Sequence, residues 1–326
     1  MKIKNFGVIG CGNIVTEHSY VAKKLGLKLF GCHTRNFSSK NWKNYIKKFP
    51  EVNKYTNIDN LINDKKIDII ICAVSWDNIS YILPKLLNSK KIILIEKPIS
   101  FSSKNLKKEI KIYKKNLSNK YIGYNRRFYN TTNQLLLRIK KGGMLYAKVQ
   151  ITENLNNAIK KFGKKIKNKI FYVSATSHII DLCLFLFGNL NLKYSKSMNS
   201  SRNNSYYYIG DYINKQKNLV QISIINENPT ETGITCYFDD GTSWILSPLE
   251  SLKIYNRYSI HEYSKKNKIR IYTPNLIKNK VEKSKYKPGF YEQLKTIIEQ
   301  DKKKLKNIAN VYDSLKMIEF FEELKK

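Results

Sequence analysis

Phe6-Gly7-Val8-Ile9-Gly10-Cys11-Gly12-Asn13-Ile14-Val15 is the stretch that decides the fold. An apolar strand at Phe6–Ile9 runs straight into Gly-x-Gly and a helix-like segment from Thr16 to about Leu25. That order is the context of a dinucleotide-binding turn. The first glycine permits a tight turn, and the second lets backbone amides approach a pyrophosphate. The helix start then offers unpaired N–H groups and the positive end of its dipole. Val15 stands where the fingerprint has a third Gly or Ala, so the match is partial, and a tight turn in any α/β protein is the competing reading.

The units that follow repeat the alternation. A strand at Leu27–Cys32 leads to His33-Thr34-Arg35-Asn36, where NAD sites usually carry an acid for the ribose hydroxyls. Here a hydroxyl and a guanidinium stand in that place, which suits a 2′-phosphate and leans towards NADP; Arg35 could equally stack on adenine. Helices are expected at Ser38–Phe49, Ile58–Asn63, Ile79–Asn88 and Ser102–Leu117, with strands at Ile67–Val74, Ile92–Ile95 and Tyr121–Tyr124. Strands separated by helices with short connections imply right-handed crossovers and a parallel sheet. Ile92-Ile93-Leu94-Ile95 is apolar throughout, as for a strand buried on both faces. It ends at Glu96-Lys97-Pro98, because proline cannot join a ladder. Lys97 therefore falls at the carboxyl end of a sheet strand, where open α/β sheets place ligands.

Near Asn125 the character changes. A strand pattern covers Met144–Thr152, residues 155–170 read as a basic, glycine-interrupted loop, and Ser177–Phe187 is apolar at helical spacing before Gly188. Strand formers then dominate from Leu190 to Ile271: Ser205–Ile213, Leu219–Asn226, Gly233–Phe238, Thr242–Leu246 and Leu252–Tyr255, with Asp239-Asp240-Gly241 as a hairpin turn. Tyr291–Glu299 and Ile308–Leu324 read as helices. The fold class is α/β: a Rossmann doubly wound parallel sheet over residues 1–123, then an α+β domain over 124–326 with a large, mainly antiparallel sheet. The last helices are free to pack back on the first domain.

Composition narrows the function. Of 60 basic residues against 25 acidic, only seven are Arg, and the 53 Lys are spread along the chain. Specific nucleic-acid readers concentrate charge on one face and use Arg for bidentate contacts. The net charge of +35 therefore reads as solvated surface with weak, salt-sensitive adhesion to polyanions. The start of the chain leaves no room for a signal peptide, and no apolar run approaches the roughly 20 residues of a membrane span. Cys11, Cys32, Cys72, Cys183 and Cys236 form no Cys-x-x-Cys pair, which points to buried thiols in the cytoplasm and to no metal site.

Four stretches in order carry a resemblance: Val8–Ile14, Glu96-Lys97-Pro98, Gly123-Tyr124-Asn125-Arg126-Arg127-Phe128, and His178-Ile179-Ile180-Asp181 leading to Leu186-Phe187-Gly188. Together with Lys287-Pro288-Gly289-Phe290-Tyr291-Glu292-Gln293, the chain resembles the Gfo/Idh/MocA oxidoreductases, including those of sugar-nucleotide and surface-glycan pathways. The resemblance implies an NAD(P) cofactor held by Gly10, Cys11, Gly12, Asn13, Ile14, Thr34, Arg35, Val74, Ser75, Trp76, Glu96 and Lys97. It implies Lys97 and His178 as the proton-handling residues of a sugar or nucleotide-sugar dehydrogenase, with Asn125, Arg126 and Ser174 near the substrate. A dimer or tetramer follows by the same analogy. Arg127 could reach ligand or pair with a carboxylate, and Asp181 could orient His178 or serve as a satisfied helix acid.

Two departures from that pattern stand out. The family carries an Asp four residues before the histidine and a Gly two before it, where this chain has Ser174 and Thr176. Val74-Ser75-Trp76 and Ile79 replace a Thr-Pro…His signature, and Trp76 either walls the nicotinamide pocket or caps the sheet. A dinucleotide-binding regulatory protein with weakened catalysis is therefore the alternative reading, and a polyanion-binding protein the more distant one.

Overall fold

The computed structural model describes residues 3–199, 206–264 and 268–324. The chain forms two compact units, one of Met1–Phe128, Phe171–Asp181 and Ser284–Lys326, the other of Tyr129–Ile170 and Leu182–Lys283.

In the first unit, β1 (Asn5–Ile9), β2 (Lys28–His33), β3 (Asn53–Lys54), β4 (Ile69–Cys72), β5 (Ile92–Ile95) and β6 (Lys120–Ile122) make one sheet. Its order is β3-β2-β1-β4-β5-β6, and every pairing is parallel. That is the doubly wound Rossmann order, with the direction of winding reversing between β1 and β4. All four residues of β4 are buried, which is why this strand reads as a continuous apolar run rather than an alternating one. Burying each such isoleucine contributes about 1.5–3 kcal/mol. Helices Asn13–Lys24, Lys40–Lys48, Ile58–Asn63, Ile79–Asn88 and Ser103–Tyr113 make the crossovers, and Ile79–Asn88 accommodates Pro84 within it.

The C-terminal segment completes this unit. The Gln293 amide of helix Phe290–Glu299 donates to the Ile122 carbonyl (3.1 Å), and the Ile122 amide donates to the Ala309 carbonyl (2.8 Å). Helix Val311–Glu323 starts from a reciprocal cap between Asn310 and Asp313.

The second unit holds β7 (Met144–Glu153), β8 (Asn191–Asn199), β9 (Tyr206–Ile213), β10 (Leu219–Asn226), β11 (Gly233–Phe238), β12 (Thr242–Leu246), β13 (Ser251–His261) and β14 (Ile271–Val281). They form one sheet, β14-β13-β12-β11-β7-β10-β9-β8, antiparallel except where β10 pairs with β7. Burial alternates along β10, so one face packs inward while the other carries half-exposed residues. At the β11–β12 hairpin Gly241 takes φ +78° and Asp240 accepts from Thr242.

Several expectations need correction. Residues 155–170 are not a loop: Leu155–Phe162 is helical and Lys164–Lys169 is a 3-10 turn. Asn154 caps the helix through the Asn157 amide, Gly163 ends it at φ +78°, and Leu155 and Ile166 bury the turn that the lysines disguise. Helix Ser103–Tyr113 stops earlier than expected and continues as a 3-10 turn to Asn119. β3, β8 and β14 are strands beyond those expected. β3 is only two residues long, and all three are exposed edge strands with no buried alternation to read. Ser205, the expected start of β9, lies outside the described residues.

Among the described residues one helical stretch, Lys164–Phe187, is long and apolar enough to cross a membrane, contrary to the expectation of none. Its most apolar window is 61% buried inside the protein, as for a core helix. All five cysteines are buried and none forms a disulfide.

Candidate active site

A cavity of about 1190 Å³ opens in the first unit beyond the carboxyl ends of β1, β2, β4 and β5. Its walls come from the turns that follow those strands, so the sheet topology itself gathers residues far apart in sequence. The volume exceeds the 300–1,000 Å³ typical of a single small ligand.

The Gly10–Ile14 turn forms the floor. Gly10 takes φ +100°, and a Cβ there would stand 2.4 Å from the Ala73 carbonyl oxygen, so only glycine fits. Val15, in place of the third glycine, is fully buried, and its Cγ2 lies 3.6 Å from where that Cβ would be. Gly12 has open space where its Cβ would be and caps helix Asn13–Lys24 without any side-chain hydrogen bond. Open space beside uncapped helix N–H groups is what a dinucleotide pyrophosphate needs, so these residues fit the cofactor. Thr34 and Arg35 line the same cavity. Thr34 Oγ1 accepts from the Cys11 thiol (3.4 Å), and Arg35 donates to Asn78 Oδ1 (2.8 Å).

At the end of β5 the turn Glu96-Lys97-Pro98 is fixed on both sides. The buried His18 meets Glu96 Oε1 through Nε2 at 2.8 Å and stacks on Phe290, with ring centroids 4.1 Å apart. Gly123 leaves no room for a side chain beside that carboxylate, since a Cβ would sit 2.7 Å from Glu96 Oε1. Lys97 Nζ donates to the carbonyls of Val173 and Ser174, each at 2.8 Å, and to Ser177 Oγ at 3.2 Å. Those three bonds use the three donors of an ammonium, so Lys97 stands here in its charged form.

His178 lines the cavity beside it. Burial, then the positive charges of Lys97, Arg126 and Lys287, hold its imidazole well below the usual histidine range. It is therefore neutral at pH 7. Its Nδ1 is buried without a hydrogen-bond partner among the described residues, while the Tyr124 ring meets the imidazole edge-on at 5.7 Å. A lysine and a histidine thus line one cavity, with the imidazole held neutral by burial and by the positive charges around it.

The expected residues divide as follows. Gly10, Cys11, Gly12, Asn13, Ile14, Thr34, Arg35, Val74, Ser75, Glu96, Lys97, Asn125 and His178 all line the cavity. Trp76 does not; it packs edge-on against Phe101 at 5.8 Å. Ser174 and Arg126 are not among the lining residues; the Ser174 carbonyl accepts from Lys97, and the charge of Arg126 acts on His178. Arg127 and Asp181 form a bidentate buried ion pair (2.8 and 2.6 Å), with Asp313 3.4 Å from the guanidinium. Asp181 is thus a satisfied helix acid paired with arginine; burial raises its carboxyl to about 6 against the lowering pull of Arg127.

Sequence reasoning passed over His18, which seemed to lack context, and gave no role to Lys287 or Phe290. The bond from His18 to Glu96 spans 78 residues and has no local signal. Among the described residues no group of three His, Cys, Asp or Glu side chains could hold a metal.

Residues 4–123 match the model of the GFO_IDH_MocA family, an oxidoreductase family with an NAD-binding Rossmann fold. Residues 4–123 thus form an NAD-binding domain of this family. No curated protein matches the chain.

Solved structures share the fold over nearly the full length. A dehydrogenase from Chromobacterium violaceum is 13% identical with a TM-score of 0.75, covering 100% of this chain and 95% of that one. The WlbA dehydrogenase from Bordetella pertussis, in complex with NADH and UDP-GlcNAcA, is 12% identical with a TM-score of 0.72, covering 100% and 95%. The UDP-N-acetylglucosamine 3-dehydrogenase GnnA from Acidithiobacillus ferrooxidans is 12% identical with a TM-score of 0.71, covering 100% and 97%. At such identities the likeness is one of fold.

Proposed function

We propose that this protein transfers a hydride between a nicotinamide and a CH–OH carbon of a sugar, linked to a nucleotide. The single observation behind the reading is the charged Lys97 beside the neutral His178 at the carboxyl end of β5, in the cavity that begins at the dinucleotide turn. The fold neighbours that act on or bind nucleotide sugars support the choice of substrate class.

The cofactor supplies the hydride acceptor or donor when bound. Gly10–Ile14 would hold its pyrophosphate, and Thr34 with Arg35 its adenosine ribose. With no acid after β2, the side chains there favour NADP over NAD. Val74, Ser75 and Glu96 lie where they would flank the nicotinamide half.

His178 takes the hydroxyl proton while the Lys97 ammonium polarises the oxygen on which negative charge develops. In the reverse direction the histidine returns the proton while the positive charge of Lys97 steadies the oxygen through space. Ser174, standing where polyol dehydrogenases of the family carry Asp, leaves proton transfer to these two groups. Asn125, Arg126 and the Ser174 backbone complete the substrate end.

Five buried thiols, none in a disulfide, favour the reducing cytoplasm. Exposed apolar side chains on the second unit's sheet, Ile209, Leu219 and Tyr237 among them, favour assembly into a dimer or tetramer.

Two measurements test the proposal together. Fluorescence titration should give tighter binding of NADPH than of NADH, and a panel of uridine- and thymidine-linked sugars should include one that is oxidised with matching nicotinamide reduction. Tight cofactor binding without turnover on any sugar would favour a regulatory protein with weakened catalysis. Retention on duplex DNA and heparin should vanish near physiological salt; retention beyond it would favour a polyanion binder.

A further inference from the structure

Lys287 differs in setting from the many surface lysines of this chain. It lines the cavity together with Lys97, Asn125 and His178. Its ammonium lies 5.0 Å from the centre of the Phe290 ring, the ring that stacks on His18. The loop is anchored one residue further on, where the Asn125 side-chain amide donates to the Pro288 carbonyl (2.8 Å).

Charge at this end of the cavity is unbalanced. Lys97, Arg126 and Lys287 all act on His178, and no acid offsets them there. Two acids line the cavity, Asp77 and Glu96. Glu96 is engaged by His18, and Asp77 sits in the turn with Asn78 that holds Arg35. Neither Arg126 nor Lys287 forms an ion pair among the described residues.

We propose that Lys287 is a specificity-determining residue that binds a carboxylate carried by the substrate close to the reacting carbon. The assignment rests on the dehydrogenase reading of the same cavity and adds the substrate's charge to it. A diphosphate is a poorer occupant, because a nucleotide-linked sugar places it at the anomeric end while Lys287 stands beside Lys97 and His178. Bound there, the carboxylate takes the ammonium as its charge-assisted partner, and Phe290 keeps that ammonium from drifting into solvent.

The test compares UDP-N-acetylglucosaminuronic acid with UDP-N-acetylglucosamine, two probes differing in one carboxylate. Binding is measured calorimetrically on NADPH-loaded protein, and turnover is measured separately. Wild type should bind the uronate the more tightly. Lys287→Met should weaken the uronate by roughly 10- to 100-fold and the neutral sugar by no more than about twofold. Lys287→Arg should restore most of the difference, with NADPH affinity and thermal midpoint unchanged in both variants.

Equal losses on the two probes, no loss on either, failure of arginine to rescue, or a wild type that binds neither would overturn the assignment. Turnover of the neutral sugar alone overturns it while leaving the dehydrogenase reading in place. Uronate binding that depends on Lys287 without hydride transfer preserves it and removes the redox reading.

Discussion

Lys97 and Lys120 are two lysines in the same unit with the same local chemistry, and of the two Lys97 lines the dinucleotide-turn cavity. Lys97 donates to Val173, Ser174 and Ser177; Lys120 donates to the carbonyls of Ser89 (2.8 Å), Lys91 and Asn116 (both 3.0 Å). Each ammonium gathers loose oxygens at the ends of neighbouring elements. Lys120 is wholly buried, outside the cavity that Lys97 lines, and burial pushes its pKa down to about 8. Lys97 lines the cavity together with a histidine. A lysine that caps carbonyls becomes a chemical group only where the sheet leaves room for a ligand next to it.

Substitution by methionine separates the two lysines most sharply. Lys97→Met should lower kcat/KM on a turned-over substrate by about 10²- to 10⁴-fold, the range for loss of a proton-handling group. NADPH affinity should stay within a few-fold. Full turnover in that variant would reduce Lys97 to the structural role of Lys120.

Lys120→Met should do the reverse. Three buried carbonyls lose their donor, partly offset by removal of a desolvated charge, so we expect a loss of about 2–4 kcal/mol. Urea unfolding would read this as a lower midpoint at unchanged slope, with kcat/KM of the folded protein preserved.

The smallest effect is a pH slope. The folded-state pKa of Lys120, about 8, lies below the ordinary lysine value of 10.5. Between these values the unfolded chain binds more protons, so wild-type stability should gain a component as pH rises from 8 to 10.5. Below pH 8 both states are protonated and that component is flat. Lys120→Met should lack this rise; an identical pH curve for the variant would mean that the three carbonyls hold the ammonium at its ordinary pKa.

The arginine pair shows the third way in which this fold handles a buried cation. Arg127 has Asp181 as a bidentate counterion, and burial still leaves the carboxyl at about 6. Both residues were visible in sequence as candidates near the site, and the structure assigns them to each other.

How much was legible follows from the range of each interaction. β5 and the helices at Ile58–Asn63 and Ile79–Asn88 have the boundaries their residues announce, because apolar runs and local caps act within a few positions. The edge strands β3, β8 and β14 and the helix at Leu155–Phe162 were not legible. β3 is polar and two residues long, β8 and β14 leave their apolar side chains exposed at sheet edges, and lysines mask the helix; what orders them is pairing or burial supplied from elsewhere.

The sequence by itself determined the parallel first domain, the dinucleotide turn and the position of Lys97 at the end of a buried strand. These depend on backbone sterics and hydrophobic periodicity, which neighbouring residues carry alone. Only the tertiary structure decided that His18 holds Glu96, that Lys97 reaches the Val173–Ser177 turn and that Lys287 joins His178 in one cavity. Those contacts join residues 76 to 80 positions apart or more, brought together by the strand order of the sheet and the return of the C-terminal segment. No local pattern encodes a distance of that kind, because it is the sum of packing choices made along the whole chain.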